Sequence, residues 1–380
     1  MIVLMFHSIG NESTKNWYEN KLSMNLEHFE TFCRYLYKNQ YQTGHLDEWY
    51  EFQDNSLKQN KKTVFLTFDD GYLDNWVYAY PILKKYGLKS TIFINPEFVE
   101  PSQIPRPNLE NVWNREIQKI ELNSLGFLNW QEIKQIDHSG IMDVQSHSMS
   151  HDFVFCSNEI IDIYKGQSKY YWLSWIYYQD QKPYYLTNNS LSRSLLGIPV
   201  FKEGRALGVR AYFPDQRLLD FSKGLYIHDK INYRELVHIL NKKKKEFPGR
   251  YETDEEMEKR YRYELITSKQ ILERKLNKDI NFLCWPGGGY NKLAHEIAIK
   301  AGYIASTIGT KHKNEIYDNT KKYKRIPRSG IGSGINVKNK RLIQKNRNYA
   351  VWNFKAREQK KLYKLLLKFN KAYMRLKYYY

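Results

Sequence analysis

The sequence predicts an α/β protein built on parallel strands, either a (β/α) barrel or an open doubly wound sheet, and three observations predict it. Short continuous apolar runs recur at residues 2–6, 64–68, 90–94, 141–144, 281–285 and 304–308, as expected of strands buried on both faces. Stretches with helix-start and helix-stop signals lie between several of them. Strand and helix therefore alternate along most of the chain, the pattern of parallel sheets covered by helices.

The helix signals are specific. Asn129 with Glu132 makes a capping box ahead of Trp130, Ile133 and Ile136, and Gly140 ends that segment. Thr253 with Glu256 makes a second box, opening a long helix whose Met257, Tyr261, Leu265, Leu272 and Leu276 share a face. Asn291 caps a third helix that stops at Gly302.

The alternation lapses over residues 153–250, a stretch rich in Tyr, Trp, Gly and Pro that includes Lys202-Glu203-Gly204-Arg205. This reads as an insertion carried on the main domain, residues 1–335, rather than a separate domain. A lid over a substrate groove and a plain structural elaboration fit it equally. Residues 336–380 form a basic tail. Residues 338–377 hold about fourteen Lys and Arg against the single acid Glu358, so much of the formal charge of +19 sits there. Leu362, Leu365, Leu366, Phe369, Tyr373 and Leu376 fall on one helical face, with Lys and Arg over the rest. Such a helix suits peripheral contact with an anionic membrane; packing on the barrel and non-specific contact with nucleic acid are the alternatives, and nothing points to specific nucleic-acid binding.

The bulk composition narrows the class. Hydrophobic residues at 42% support a real core, and aromatic residues reach 16% with 32 tyrosines. Aromatic surfaces suit sugar rings, although a compositional bias of the source explains the count as well. Cys33, Cys156 and Cys284 are odd in number and widely spaced, which argues against a disulfide framework. No apolar run is long enough to cross a bilayer, and residues 1–6 are too short for a signal core. The expectation is a cytoplasmic protein, peripheral at the inner face of the membrane if the tail binds there.

Two segments carry chemistry. In Thr67-Phe68-Asp69-Asp70-Gly71, two carboxylates follow an apolar strand, a costly placement unless a cation or a proton-accepting role offsets it. Asp-Gly is also a common turn pair. In His147-Ser148-Met149-Ser150-His151 the histidines are four apart just past another apolar run; in a helical turn they would project to one side and reach one cation. One carboxylate and two imidazoles leave coordination positions open for water and substrate. Zinc suits these ligand types best, with manganese, cobalt and iron open. His7 follows the first strand and would face the same mouth if strand ends converge as in a barrel; a core or capping histidine is the plainer reading.

These segments resemble the polysaccharide deacetylase family (NodB-homology, family-four carbohydrate esterases). Residues 67–71 are similar to its first motif, 147–151 to its second, and Phe282-Leu283-Cys284-Trp285-Pro286-Gly287-Gly288 to its third. The opening Val3-Leu4-Met5-Phe6-His7-Ser8-Ile9 and the late Arg325-Ile326-Pro327-Arg328 are similar to the branch that deacetylates poly-N-acetylglucosamine. The resemblance frames residues 1–335 and implies a distorted (β/α) barrel. It implies Asp69 as general base, Asp70, His147 and His151 as ligands of one divalent ion, and His7 as general acid. It also implies Trp285, Pro286, Gly287 and Arg328 at the substrate groove. The implied reaction is removal of an N-acetyl group from an amino sugar in a glycan or lipid-linked saccharide. A catalytically inactive carbohydrate-binding relative, or a hydrolase of another C–N bond such as a formyl or small amide group, is the alternative. Two departures stand out. Many relatives carry an Arg before the Pro of the third motif, where this chain has Cys284-Trp285, so Asp69 must be oriented from elsewhere, with Arg328 the candidate. The usual late Leu-x-His motif is not evident, which places the acid role on His7.

Overall fold

In the computed structural model, residues 1–14, 17–53, 62–188, 190–228, 233–308, 323–337 and 340–379 are described. All six apolar runs are strands, at Ile2–Phe6, Thr63–Phe68, Ser90–Ile94, Met142–Ser146, Phe282–Leu283 and Ala305–Thr307. They pair in parallel in one curled sheet, whose path runs from Lys324–Ile326 at one edge to Ser329–Gly330 at the other. A further short strand, Gln42–Gly44, pairs with Thr63–Phe65. The three predicted capping boxes and caps are present at Asn129, Thr253 and Asn291.

The two edge strands are consecutive in sequence. Only Pro327 and Arg328 separate Ile326 from Ser329, and three residue steps span at most ~11 Å. The sheet is therefore drawn into a barrel whose last opening is bridged by the chain itself, which is the distorted (β/α) barrel expected. Pro327 lacks an N–H and so does not extend the ladder of the first edge.

Strand register sets the level of the site. Phe6 is level with Phe68, Ile94 with Ser146, and Ser146 with Leu283. The residues that follow, His7, Asp69, Asn95, His147 and Cys284, accordingly emerge around one rim at the carboxyl ends of the strands, where barrels build their sites. Below the rim, Leu4, Leu66, Phe68, Ile92, Val144 and Leu283 belong to one buried apolar cluster.

Residues 153–250 are tied to that rim. Phe153–Ile163 pairs antiparallel with Pro199–Arg205, placing Phe153 opposite Arg205. The apolar cluster of this region, with Trp172, Trp175 and Phe201, also takes in Tyr72, Phe98 and Phe127 from the loops of the barrel mouth. The two share one buried core.

The predicted tail boundary falls within a hairpin, Gly334–Val337 with Lys340–Ile343. Helix Tyr349–Arg357 then buries Ala350, Val351 and Phe354 in the main core, with the Phe354 ring edge-on to Phe32 and Tyr41. The basic amphipathic helix is confined to Lys361–Tyr379. There Leu362, Leu365, Phe369, Tyr373 and Leu376 are each more than half exposed, while Leu366 is half-buried. Among the described residues no helix is long and apolar enough to cross a membrane.

Candidate active site

The structure brings Asp70, His147 and His151 together. Nε2 of His147 lies 3.0 Å, and Nε2 of His151 3.3 Å, from Oδ1 of Asp70. The local reason differs from the expected helical turn. Residues 147–151 form an irregular loop, in which Ser148 and His151 take left-handed backbone (φ 63° and 54°). Asp70 does the same (φ 73°). Non-glycine residues rarely adopt this conformation, and where they do, the strain clusters at functional sites. Here it folds the loop back so that both rings face Asp70.

The residues around that loop fix it. His147 Nδ1 lies 2.8 Å from the carbonyl oxygen of Cys284, so donating there leaves the Nε2 lone pair toward Asp70. Asn95 donates to the carbonyl of His147. Glu264 accepts the N–H groups of Met149 and Ser150, each at 3.1 Å, and the Ser150 hydroxyl. Glu264 sits in a π-helical turn, Tyr263–Thr267, inside the long helix, a local widening that recurs at functional sites. Buried Lys182, from the insertion, pairs with Glu97 at 2.5 Å and with Asp152 at 2.8 Å, immediately after His151.

The donor set fits a divalent cation. Asp70 Oδ1 is buried and receives no hydrogen bond of sound geometry, despite the two imidazoles beside it. Such a buried anionic oxygen is costly unless something positive meets it. One oxygen and two ring nitrogens, all within 4.8 Å of one another, suit zinc and its neighbours. The rings respond oppositely to their surroundings. Burial takes His151 down to about 3, whereas at His147 burial is outweighed by Cys284 and Asp70 and the pKa is raised.

Asp69 is the neighbour but not a member of that set. Arg328 holds it through two hydrogen bonds, at 2.6 and 2.8 Å, and also reaches Thr67 Oγ1 and Cys284 Sγ. Burial alone would raise the Asp69 carboxyl; the Arg328 charge, the His7 ring and the Arg328 hydrogen bonds outweigh it and hold Asp69 below the usual carboxylate value. Asp69 is thus a carboxylate whose charged form is favoured and whose orientation is fixed by Arg328. Nε2 of His7 lies 3.8 Å from its Oδ2, and Asn75 anchors the His7 carbonyl at 2.9 Å.

These groups open onto a cavity of about 290 Å³. Every predicted site residue lines it except Pro286, which is buried in the turn beneath. Trp285 is buried as well, its ring stacked on Tyr290 and its Nε1 donating to Ser306 Oγ. Glu19 and Arg205 also line the cavity, and neither was anticipated. Glu264 offered one sequence signal: an acid three residues after Tyr261, on the apolar stripe of its helix. Lys182, Arg205 and Glu19 offered none, because they lie outside any periodic segment.

The sequence profile of the polysaccharide deacetylase family matches residues 56–170, the stretch that holds Asp69, Asp70, His147 and His151. Over that stretch the chain is similar to the polysaccharide deacetylase family. YxkH of Bacillus subtilis (strain 168), a protein named for the same family, is 41% identical over 92 residues, 24% of this chain and 30% of YxkH. The matched segment thus spans less than a third of that relative. Among solved structures, a de-N-acetylase from Aggregatibacter actinomycetemcomitans superposes with a TM-score of 0.54 at 17% identity, covering 89% of this chain and 97% of that one. That likeness establishes the fold. The deacetylase domain of BpsB from Bordetella bronchiseptica gives a TM-score of 0.49 at 15% identity over 87% and 96% of the two chains, too low to argue from. The third-motif segment carries Cys284-Trp285 rather than an arginine, and Asp69 is held instead by Arg328, which arrives from the barrel seam.

Proposed function

We propose that the chain is a divalent-metal-dependent hydrolase that removes an N-acetyl group from an amino sugar in a glycan or lipid-linked saccharide. One observation carries the reading: two imidazole nitrogens and one unpartnered carboxylate oxygen converge beside a second carboxylate that is ionised and held by arginine. Asp70, His147 and His151 would hold the ion, with zinc best suited to them. Bound there, such an ion would supply Lewis acidity to a water and to the acyl oxygen.

The remaining work falls to side chains. Asp69 takes the proton from the attacking water, and its bidentate contact with Arg328 keeps one orientation throughout. His7, 3.8 Å from Asp69 Oδ2 and 16% exposed, protonates the departing amine. The third-motif turn forms one wall against the sugar through Trp285, Gly287 and Gly288. Acetate and a free amino sugar leave.

Acetate release from N-acetylated oligosaccharides, measured after chelation and after re-addition of zinc, manganese or cobalt, tests the proposal. Activity should vanish with the ion and return with it. Asp69→Asn separates an enzyme from a saccharide-binding relative. Turnover lost with metal binding kept fits the enzyme; unchanged saccharide binding in a protein that never releases acetate fits the binder.

A further inference from the structure

Arg205 poses a question that the reaction above does not answer. It ends the strand Pro199–Arg205 of the insertion and lines the same cavity as Asp69, Asp70, His147 and His151. Its guanidinium lies 3.9 Å from the centroid of the Phe153 ring. Its other boundary is the third-motif turn: a Cβ at position 287 would fall 2.4 Å from Cζ, Nε and Nη2 of Arg205. Gly287, with φ +55°, is thus the residue that leaves room for this side chain. The planar group is clamped between an aromatic face and a glycine turn, and its direction is fixed before any ligand arrives.

Among the described residues, no side chain forms an ion pair with it within 4.0 Å, although Glu19 and Asp70 act on it at longer range. Nη1 is buried without a hydrogen-bond partner. Glu19 faces the same cavity, yet it makes no ion pair with Arg205 within 4.0 Å. A buried guanidinium left unpaired is expensive, and an anionic oxygen is the partner that offsets most of that cost, since charge-assisted hydrogen bonds are about twice as strong as neutral ones.

We infer that Arg205 is a specificity-determining residue that binds an anionic oxygen group, carboxylate or phosphate, on the N-acylated sugar unit. The inference rests on reading the cavity as the N-acyl saccharide site. A cavity of about 290 Å³ is at the small end of ligand pockets, so the anionic group belongs to the reacting sugar or is attached directly to it. The insertion thereby gains a task at the barrel mouth: among the described residues lining the cavity, it delivers an arginine that makes no ion pair within 4.0 Å.

The test compares N-acetylglucosamine, its 6-phosphate and 1-phosphate, and 2-acetamido-2-deoxyglucuronic acid. Binding to metal-free protein is measured by calorimetry, and acetate release is measured with the ion restored. Wild type should bind at least one charged sugar about tenfold or more tightly than the neutral one. In Arg205→Gln that preference should fall to within about twofold, and Arg205→Lys should keep part of it. Phosphate favoured over carboxylate, or the reverse, identifies the source of the anion. Equal binding of charged and neutral sugars, no binding of any charged sugar, or an equal loss for all ligands in Arg205→Gln overturns the inference. If Arg205→Gln does not fold, the wild-type preference and the Arg205→Lys ratio decide. A charge preference without acetate release from any N-acetyl sugar sinks the deacetylase reading and leaves this one standing; acetate release without preference does the opposite.

Discussion

Arg328 grips both carboxylate oxygens of Asp69, Nη1 to Oδ1 at 2.6 Å and Nη2 to Oδ2 at 2.8 Å, across 259 residues of sequence. The contact is made from the seam between the two sheet edges, so the orientation of Asp69 and the closure of the barrel share one side chain.

Removing that side chain leaves a buried carboxylate without its counter-ion. Arg328→Ala should lower stability by about 3–5 kcal/mol, as for other broken buried pairs. It should also shift the acidic limb of the kcat/KM profile to higher pH, because burial then raises Asp69 unopposed by the guanidinium. Arg328→Lys restores charge but not the fork, and should recover stability more than turnover. An unmoved acidic limb in Arg328→Ala would argue against Asp69 as the base.

Lys182 is completely buried between Glu97 and Asp152. Lys182→Met should leave two acids facing one another next to His151, with a lower melting temperature. Metal affinity should weaken by about 10–100-fold, the range seen when a ligand's supporting partner is lost. Competition titration against a chromogenic chelator reads this directly, and unchanged affinity would show that the insertion does not brace the loop.

Glu264 takes two backbone N–H groups of the same loop. Glu264→Ala should orphan both, at about 1–3 kcal/mol each, whereas Glu264→Gln keeps one acceptor oxygen and should be milder. Denaturant titration of the two variants should rank them in that order.

Asp74 gives a pH signature away from the ligands. Burial outweighs its bonds to Ser8, Asn11 and Asn75 and raises its carboxyl to about 7. A raised carboxyl contributes stability that is fully present below its unfolded pKa of about 3.9 and is lost as pH climbs to about 7. Melting temperatures taken between pH 4 and 7 should therefore fall less steeply with pH for Asp74→Asn than for wild type. Parallel slopes would mean that Asp74 is ionised in the native protein throughout.

The six strands were legible because parallel strands buried on both faces must be continuous apolar runs, as at residues 64–68 and 90–94. The site motifs were legible because adjacent acids and closely spaced histidines after such runs have few other uses. The geometry of residues 147–151 was not: spacing alone suggests a helical turn, while the structure uses left-handed backbone at Ser148 and His151. The edge strands Lys324–Ile326 and Ser329–Gly330 are too short to carry a periodicity. Lys182 and Arg205 owe their positions to long-range packing of the insertion on the barrel mouth, which leaves no local trace. Arg328 was found through the late Arg325-Ile326-Pro327-Arg328 segment and the absence of an arginine in the third motif.

The junction at Pro327-Arg328 also has a consequence in time. A chain that emerges N-terminus first delivers Asp69, Asp70, His147 and His151 early, but the guanidinium that charges and aims Asp69 is residue 328 of 380. The same late stretch supplies both outer strands of the wall. Asp69 therefore gains its guanidinium partner only when this late stretch is in place, which couples its orientation to the closing of the barrel around it.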